Sequence, residues 1–170
     1  MNDTAGAPVL DTLFGAITVR RQGQDRIDVQ GGAIPPATLR RRTGPPADPA
    51  IAIGTRDPAL LTLLVDGRPT DLRPAKGRLS RRSYRVEATC DGARYRLVPD
   101  SLTTSRLTRG GVHLGDFSCD GDERPGAVWK DGPDIRPADA AIGYVLASAF
   151  GTGAQPLWMM LTDAVAEALP

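Results

Sequence analysis

Residues 140–162 contain no Asp, Glu, Lys, Arg or His, although 24% of the residues in the whole chain are charged. In residues 137–150, apolar side chains point around the entire helical wheel rather than along one stripe. A helix that is apolar on every side is buried on every side. These 14 residues fall short of the roughly 20 that cross a bilayer, and Gly151, Gly153 and Pro156 interrupt the run. The sequence therefore predicts a helix enclosed by the protein itself.

Both ends of this helix carry local signals. Pro137 suits the first turn, where a backbone amide has no partner within the helix, and Asp139 faces the positive end of the helix dipole. Gly151 can adopt the positive φ that ends many helices. Burial of the five largest apolar side chains contributes about 8 to 15 kcal/mol as an upper bound. The helix is therefore a principal element of the predicted core.

The length of the chain, 170 residues, suits a single domain with a sizeable core. We assign residues 1–170 to one domain that is strand-rich over 13–130 and helical over 137–169. The net charge of +1 gives the molecule as a whole no electrostatic attraction to nucleic acid or to an acidic membrane. Neither nucleic-acid binding nor a transmembrane segment is predicted.

Arginine supplies 19 of the 21 basic residues, and Ala, Gly, Pro and Asp are abundant. This composition is typical of a high-GC bacterial genome, so arginine clusters indicate phosphate binding only weakly. The first 13 residues have no basic residue and no long apolar core, which argues against a secretory signal and favours a cytoplasmic protein. Cys90 and Cys119 lack the spacing of a metal site, and two cytosolic thiols are usually reduced. We predict no cofactor and no metal.

Residues 13–130 show short strand patterns separated by Gly, Pro and Asp turns, as in a meandering sheet, a sandwich or a barrel. The clearest hairpin covers residues 83–99, where apolar and charged residues alternate on both sides of Asp91 and Gly92. This pair favours the positive φ of a two-residue turn. A second hairpin, residues 102–117, turns at an Arg-Gly-Gly sequence.

Five further strands are predicted, at residues 14–21, 26–29, 50–54, 60–65 and 127–130. In contrast, two proline pairs and three consecutive arginines make residues 35–49 typical of a loop around one short extended piece. After Trp129 the pattern changes from period two to helix, and apolar residues on one face predict a second helix over 156–169.

A sheet followed by an apolar helix indicates strands that wrap around the helix, because an open sheet covers only one side of it. The predicted fold is therefore mainly β with C-terminal helices. Its centre is an antiparallel β-barrel or strongly curved sheet around the buried helix of residues 137–150, and the second helix, residues 156–169, follows.

Antiparallel hairpins followed by the segment PADAAIGYVLA, residues 137–147, resemble the C-terminal part of the tubby-like superfamily. That group includes the tubby C-terminal domain, phospholipid scramblases and plant LURP-one-related proteins. The resemblance covers residues 84–151 and implies a closed β-barrel threaded by a hydrophobic helix. It also implies lipid or membrane-surface binding, or a scaffold role, rather than a catalytic site. The helix after Pro156 departs from the simplest form of the family, and no phosphoinositide-binding residue carries over.

Nine arginines could form a basic face for phosphate headgroups or nucleic acid: Arg40, Arg41, Arg42, Arg78, Arg81, Arg82, Arg85, Arg94 and Arg96. Among them, Arg85, Arg94 and Arg96 on the first hairpin are the ligand-binding candidates. The alternative, a merely solvated strand face, is favoured by the arginine-rich composition. Aromatic residues make up only 5% of the chain, so base stacking has little support.

Trp158 and Met159 are candidates for an exposed apolar contact with a protein partner or with a second copy of the chain. The alternative is that they cap the open end of the barrel. A homo-oligomer would follow from the first interpretation only.

His113, the only histidine, could form an acid–base pair with Asp116. Residues three apart on a regular strand point to opposite faces, so we predict an exposed strand histidine and no catalytic residue. Asp116, Asp120, Asp122 and Glu123 have the carboxylate density of a weak calcium site. They lack the ligand spacing of a calcium-binding loop, which favours a solvated turn.

These features favour a non-catalytic β-barrel that binds a lipid or acyl ligand or a protein partner. Two alternatives stay open: a small cyclase or isomerase of specialised metabolism with its substrate in the barrel, and a structural subunit of a larger assembly. The position of the apolar helix separates the binding protein from the enzyme. A helix in the interior leaves no room for a substrate, whereas a helix outside the barrel leaves a cavity.

Overall fold

The computed structural model describes residues 3–77, 80–120 and 124–153. These residues form twelve strands: β1 (Asp3–Ala5), β2 (Val9–Asp11), β3 (Gly15–Gln22), β4 (Arg26–Gly31), β5 (Ile34–Arg41), β6 (Leu61–Val65), β7 (Arg68–Pro74), β8 (Val86–Cys90), β9 (Ala93–Pro99), β10 (Thr104–Arg109), β11 (Val112–Asp120) and β12 (Arg124–Trp129). They also form one α-helix, α1 (Pro137–Phe150), and two short 3-10 helices, Pro58–Leu60 and Arg81–Tyr84. The second helix predicted over 156–169 lies outside the described residues.

The strands within the described ranges belong to one antiparallel sheet, and from β3 to β12 each strand pairs with the next one in the sequence. β1 and β2 pair with two successive parts of β3, residues 20–22 and 15–17. At the other end of this order, β12 comes back to lie beside β2. The sheet is therefore curled into a nearly closed barrel.

α1 runs through the interior of this barrel. It contacts β3 to β6 on one side and β9 to β12 on the other, and all residues from Asp139 to Ala149 are buried. The predicted β-barrel around an enclosed apolar helix is thereby confirmed. In the described part of the chain, no helix has the length and apolar character needed to cross a bilayer.

The helix approaches the barrel wall closely at Gly143. A Cβ atom built on Gly143 would lie 2.3 Å from Cζ of Phe117 and 3.0 Å from Cδ2 of Leu107. The Phe117 ring packs edge-on against Tyr144 and Trp129, with ring centroids 5.2 and 5.6 Å apart. This contact leaves no room for even a methyl group at position 143.

Residues 50–54 form turns, so the strand predicted there is wrong. Ile53 is fully buried, and its backbone N–H donates to the carbonyl of Ala149 over 3.1 Å. This bond satisfies one of the carbonyls that the end of a helix leaves without an intrahelical partner. The segment folds under the C-terminal end of α1 instead of extending the sheet.

The loop predicted around one short extended piece over residues 35–49 is only partly right: residues 42–49 lie outside the strands, but β5 begins at Ile34 and continues to Arg41, so the extended piece is a full strand. The pairing of β5 with β4 shifts register near its start, where Pro35 and Pro36 lie. Proline is tolerated at strand beginnings and irregular positions, where its missing N–H costs no regular ladder bond. The first proline pair therefore marks the beginning of a strand.

Both predicted hairpins are confirmed. Asp91 and Gly92, between β8 and β9, have φ values of 47° and 78°. Gly110 and Gly111, between β10 and β11, have φ values of 57° and 84°. These positive angles match the right-handed twist of the strands that the turns connect.

Candidate functional site

A buried carboxylate, that of Asp139, lies in the first turn of α1. Asp139 is fully buried and accepts hydrogen bonds from the Tyr95 hydroxyl at 2.7 Å and from the backbone N–H of Arg136 at 2.8 Å. It also pairs with the guanidinium of Arg109, which donates to the carbonyl of Asp134 at 3.1 Å. The negative charge at the positive end of the helix dipole is favourable. Asp139 thus ties α1 to β9 and β10.

A second carboxylate, that of Asp11, joins the two edges of the barrel. Its oxygens accept hydrogen bonds from Nε1 of Trp129 at 2.9 and 3.1 Å and from the Tyr144 hydroxyl at 2.7 Å. The backbone N–H groups of Leu13 and Phe14 donate to the same carboxylate. Asp11 lies on β2, Trp129 on β12 and Tyr144 on α1. One side chain therefore fastens both edges of the sheet to the helix.

Both tyrosines are held in the neutral form. Burial raises the pKa of Tyr95, and the hydrogen bond to Asp139 raises it further. Burial likewise raises the pKa of Tyr144, with a further contribution from the hydrogen bond to Asp11. A tyrosinate at either place would lose its hydrogen bond and face a carboxylate.

The free energy of unfolding is expected to fall above about pH 10, where tyrosines of the unfolded chain lose their protons. Tyr95 and Tyr144 keep theirs in the folded state, because their folded-state pKa values are raised. Each should therefore remove about 1.4 kcal/mol of stability per pH unit above that point. Chemical denaturation between about pH 9 and 12 measures this slope. Tyr95→Phe and Tyr144→Phe should each reduce the slope of the unfolding free energy against pH by about 1.4 kcal/mol per pH unit, the contribution of one proton. An unchanged slope in both variants would contradict the raised pKa values of these two tyrosines.

The three arginines chosen as ligand-binding candidates lie on or beside β8 and β9. The guanidinium of Arg96 is 2.7 Å from a carboxylate oxygen of Glu87, and that of Arg85 is 3.7 Å from the same oxygen. Arg94 is exposed. Because one glutamate serves two of the three arginines, the net positive charge of this face is reduced. Ligand binding by this face stays a prediction.

His113 and Asp116 form a contact that the strand pattern argued against. Nε2 of His113 lies 2.7 Å from Oδ1 of Asp116, and Nζ of Lys130 lies 2.9 Å from Oδ2. The prediction of opposite faces is wrong, because the register of β10 and β11 shifts at a bulge in which Leu114 has no partner residue on β10. The bulge changes the alternation of side chains along β11, so His113 and Asp116 can meet. Burial opposes ionisation of Asp116, but the bonds from Lys130 and His113 outweigh it and hold its pKa below the usual range. All three side chains are partly exposed, so they form a surface network.

Two groups of candidates lie outside the described residues. They are the partner contact at Trp158 and Met159, and Asp122 and Glu123 of the acidic loop. The partner contact therefore stays a prediction.

A cleft of about 1090 Å³ opens at the C-terminal end of α1. Its apolar lining includes Val19, Leu102 and Phe150, and its basic lining consists of Arg21 and Arg124. We call this cavity the basic cleft. Among the lining residues that the structure describes there is no Asp or Glu. The basic cleft thus combines an apolar surface with positive charge.

Backbone oxygens help to position both arginines. Nη2 of Arg21 donates to the carbonyl of Ser148, in the last turn of α1, at 3.0 Å. Nη1 of Arg124 donates to the carbonyl of Ala7 at 3.0 Å. A cation at a helix C-terminus is favourable because the dipole is negative there. The two guanidinium groups consequently hold positive charge at the edge of the basic cleft.

A smaller cavity of about 400 Å³ also borders Leu102 and Phe150. Arg56 lies beside it, with its guanidinium carbon 5.3 Å from the ring centroid of Tyr84 and 5.4 Å from that of Phe150. Nη1 of Arg56 donates to the carbonyl of Ala75 at 2.9 Å, and burial lowers the pKa of Arg56. Arg56 therefore lines the smaller cavity and packs over Phe150, a residue that borders both cavities.

Sequence reasoning missed the basic cleft because its residues come from distant parts of the chain. Arg21 lies on β3, Arg124 on β12 and Phe150 at the end of α1. No local motif connects these positions. In a chain with nineteen arginines, nothing in the sequence distinguishes Arg21 and Arg124 from the others. The apolar pattern of the helix was the only available signal, and it placed Phe150 in the core.

The fold and its cavities define a class of protein: a nearly closed antiparallel β-barrel with a helix in its interior and a basic, partly apolar cleft at one end. Comparison with known proteins found no matching family model, no matching curated protein and no matching solved structure. The function is therefore inferred from the geometry of the chain itself.

Proposed function

We propose that the chain is a non-catalytic binding protein and that the basic cleft is its binding site. The observation that supports this proposal most strongly is that α1 fills the interior of the barrel. Ile142, Tyr144 and Leu146 of α1 are fully buried against the surrounding strands, so the helix occupies the space that a ligand would need. The basic cleft, at about 1090 Å³, is slightly larger than the usual range of small-molecule sites, roughly 300 to 1,000 Å³.

The lining of the basic cleft favours an amphipathic ligand with an anionic group. Val19, Leu102 and Phe150 offer apolar contacts to an acyl chain. Arg21 and Arg124 carry the planar donor groups that suit a carboxylate or a phosphate. A lipid or acyl ligand is therefore the chemistry that these walls support best.

A relationship to the tubby-like superfamily remains part of this proposal. It is supported by the order of the elements, with antiparallel hairpins followed by a helix that the barrel encloses. It is also supported by the Pro-x-Asp start of α1, in which Asp139 is buried and hydrogen-bonded. The alternative of an enzyme with its substrate inside the barrel has less support, because that alternative required the helix to lie outside.

Native mass spectrometry of the purified protein is the first test. An adduct of lipid or metabolite mass that disappears on denaturation would support the proposal. The second test is a titration with palmitate in which binding is measured by the displacement of an environment-sensitive dye from the protein. Saturable binding is expected, whereas no adduct and no saturable binding would contradict the proposal.

A bulky residue in the basic cleft should weaken palmitate binding. Ala50 lines the cleft, and Ala50→Trp should raise the dissociation constant about tenfold or more, a loss of about 1.4 kcal/mol. Ala59→Trp is the matched control, because Ala59 is exposed on the 3-10 helix Pro58–Leu60 and lies away from the cleft. Equal weakening by both variants would show that palmitate binds elsewhere.

A further inference from the structure

We propose that the basic cleft is also the docking site of the chain's own C-terminal segment, residues 154–170, and that an external ligand must displace this segment. The displacement rests on the proposed function, since it concerns the same cavity. The docking itself is argued from where the segment starts, from its charge and from its apolar pattern.

The segment starts at the wall of the basic cleft. Thr152 lines the cleft, and its hydroxyl oxygen accepts a hydrogen bond from the backbone N–H of Cys119 at 3.1 Å. The N–H of Gly153 donates to the hydroxyl oxygen of Ser105 at 2.9 Å. These two bonds hold the last described residues in place. No linker separates the segment from the cleft, so its effective concentration there is on the order of millimolar or higher.

The charge of the segment complements that of the cleft. Residues 154–170 contain Asp163 and Glu167 and no Lys, Arg or His. The described lining of the cleft contains Arg21 and Arg124 and no acidic residue. Opposite charges of this kind favour association and fix its orientation.

The apolar pattern of the segment matches the remaining walls. Seven apolar residues recur with the spacing of one helical face: Leu157, Met160, Leu161, Ala164, Val165, Ala168 and Leu169. Left in water, such a face would be a large exposed apolar patch, which soluble monomers rarely carry. An amphipathic helix that places its apolar face in a groove buries this surface, and Val19, Leu102 and Phe150 provide the apolar side of the groove.

Disulfide trapping in the full chain tests the docking directly. Cys119 lines the basic cleft, whereas Cys90 ends β8 and lies away from it. In a Cys90→Ser background, a cysteine replacing Leu157, Leu161 or Val165 should form an intramolecular disulfide with Cys119 at one or more positions under mild oxidation. A disulfide forms only when the two Cα atoms come within about 7 Å.

Trapping has a matched control and two results that would overturn the inference. Ala59→Cys, exposed and away from the cleft, should give no intramolecular disulfide with Cys119. If none of the three segment cysteines is trapped while Cys119 still reacts with maleimide, the segment does not dock in the cleft. If only disulfide-linked dimers form, the occupant is a second copy of the chain.

Charge reversal in the full chain tests the competition with ligand. Asp163→Lys combined with Glu167→Lys should raise the affinity for palmitate about tenfold, because it weakens the occupant of the cleft. Asp71→Lys combined with Asp131→Lys changes the net charge equally at exposed positions outside the cleft and should leave the affinity unchanged. Equal affinities in both double variants would overturn the competition. If no variant binds palmitate, the proposed function fails, and the trapping experiment still decides the docking.

Discussion

Leu146→Asp is expected to prevent the barrel from folding. Leu146 is fully buried in the part of α1 that the strands enclose. Truncating a buried leucine costs about 2 to 5 kcal/mol, and a carboxylate without a partner in this interior adds several kcal/mol more. Because the whole stability of a domain is about 5 to 15 kcal/mol, the sum is comparable with the total. Solubility, circular dichroism and denaturant titration would measure the loss.

Two other variants separate burial of charge from a general sensitivity to mutation. Leu146→Met nearly conserves the volume and should cost less than about 1.5 kcal/mol. Val128→Asp introduces the same charge on β12 at a side chain that is 68% exposed, and this variant should fold. Soluble Leu146→Asp protein with a native spectrum and an unchanged denaturation midpoint would refute the central position of the helix.

Asp139→Ala is expected to cost about 3 to 5 kcal/mol, the usual loss when one partner of a buried ion pair is removed. The substitution leaves Arg109 without its carboxylate, and it removes the acceptor of the Tyr95 hydroxyl and of the Arg136 amide. An unsatisfied buried donor costs about 1 to 3 kcal/mol by itself. Denaturant unfolding at neutral pH measures the change.

Controls for Asp139 come from its own neighbourhood. Asp134→Ala removes a carboxylate that is 80% exposed and should change stability by less than about 0.5 kcal/mol. A double-mutant cycle of Asp139→Ala with Arg109→Met should show a coupling of more than about 1 kcal/mol, because the two side chains are in contact. A loss below about 1 kcal/mol for Asp139→Ala would contradict its role as an anchor of the helix.

Turn chemistry predicted the hairpins well and could have predicted one more. The turn at Asp91 and Gly92 follows from its two residue types. The same pair recurs at Asp66 and Gly67, with φ values of 52° and 73°, and connects β6 to β7. The sequence therefore carries a local signal for the turn that leads into β7.

Irregular pairing limited the remaining strand predictions. The alternation rule placed His113 and Asp116 on opposite faces, but the register shift at Leu114 brings them together. A bulge depends on how two strands fit against each other and against the core, and a single-strand pattern does not contain that information. The proline pair at the start of β5 favoured a loop for the same reason, because the irregular pairing that accommodates these prolines depends on β4.

The sequence by itself determined the central helix, because its signals are local. Apolar residues around the whole wheel, Pro137 in the first turn and Gly151 with a φ of 79° at the end define α1 without reference to any other element. Only the tertiary structure decided which side chains hold this helix within the barrel and where a ligand could bind. The bond from Arg21 to Ser148 joins residues 127 positions apart, and that from Tyr144 to Asp11 spans 133 positions. Such contacts depend on the register of the whole sheet and on the closure of the barrel, so no local pattern of residues specifies them.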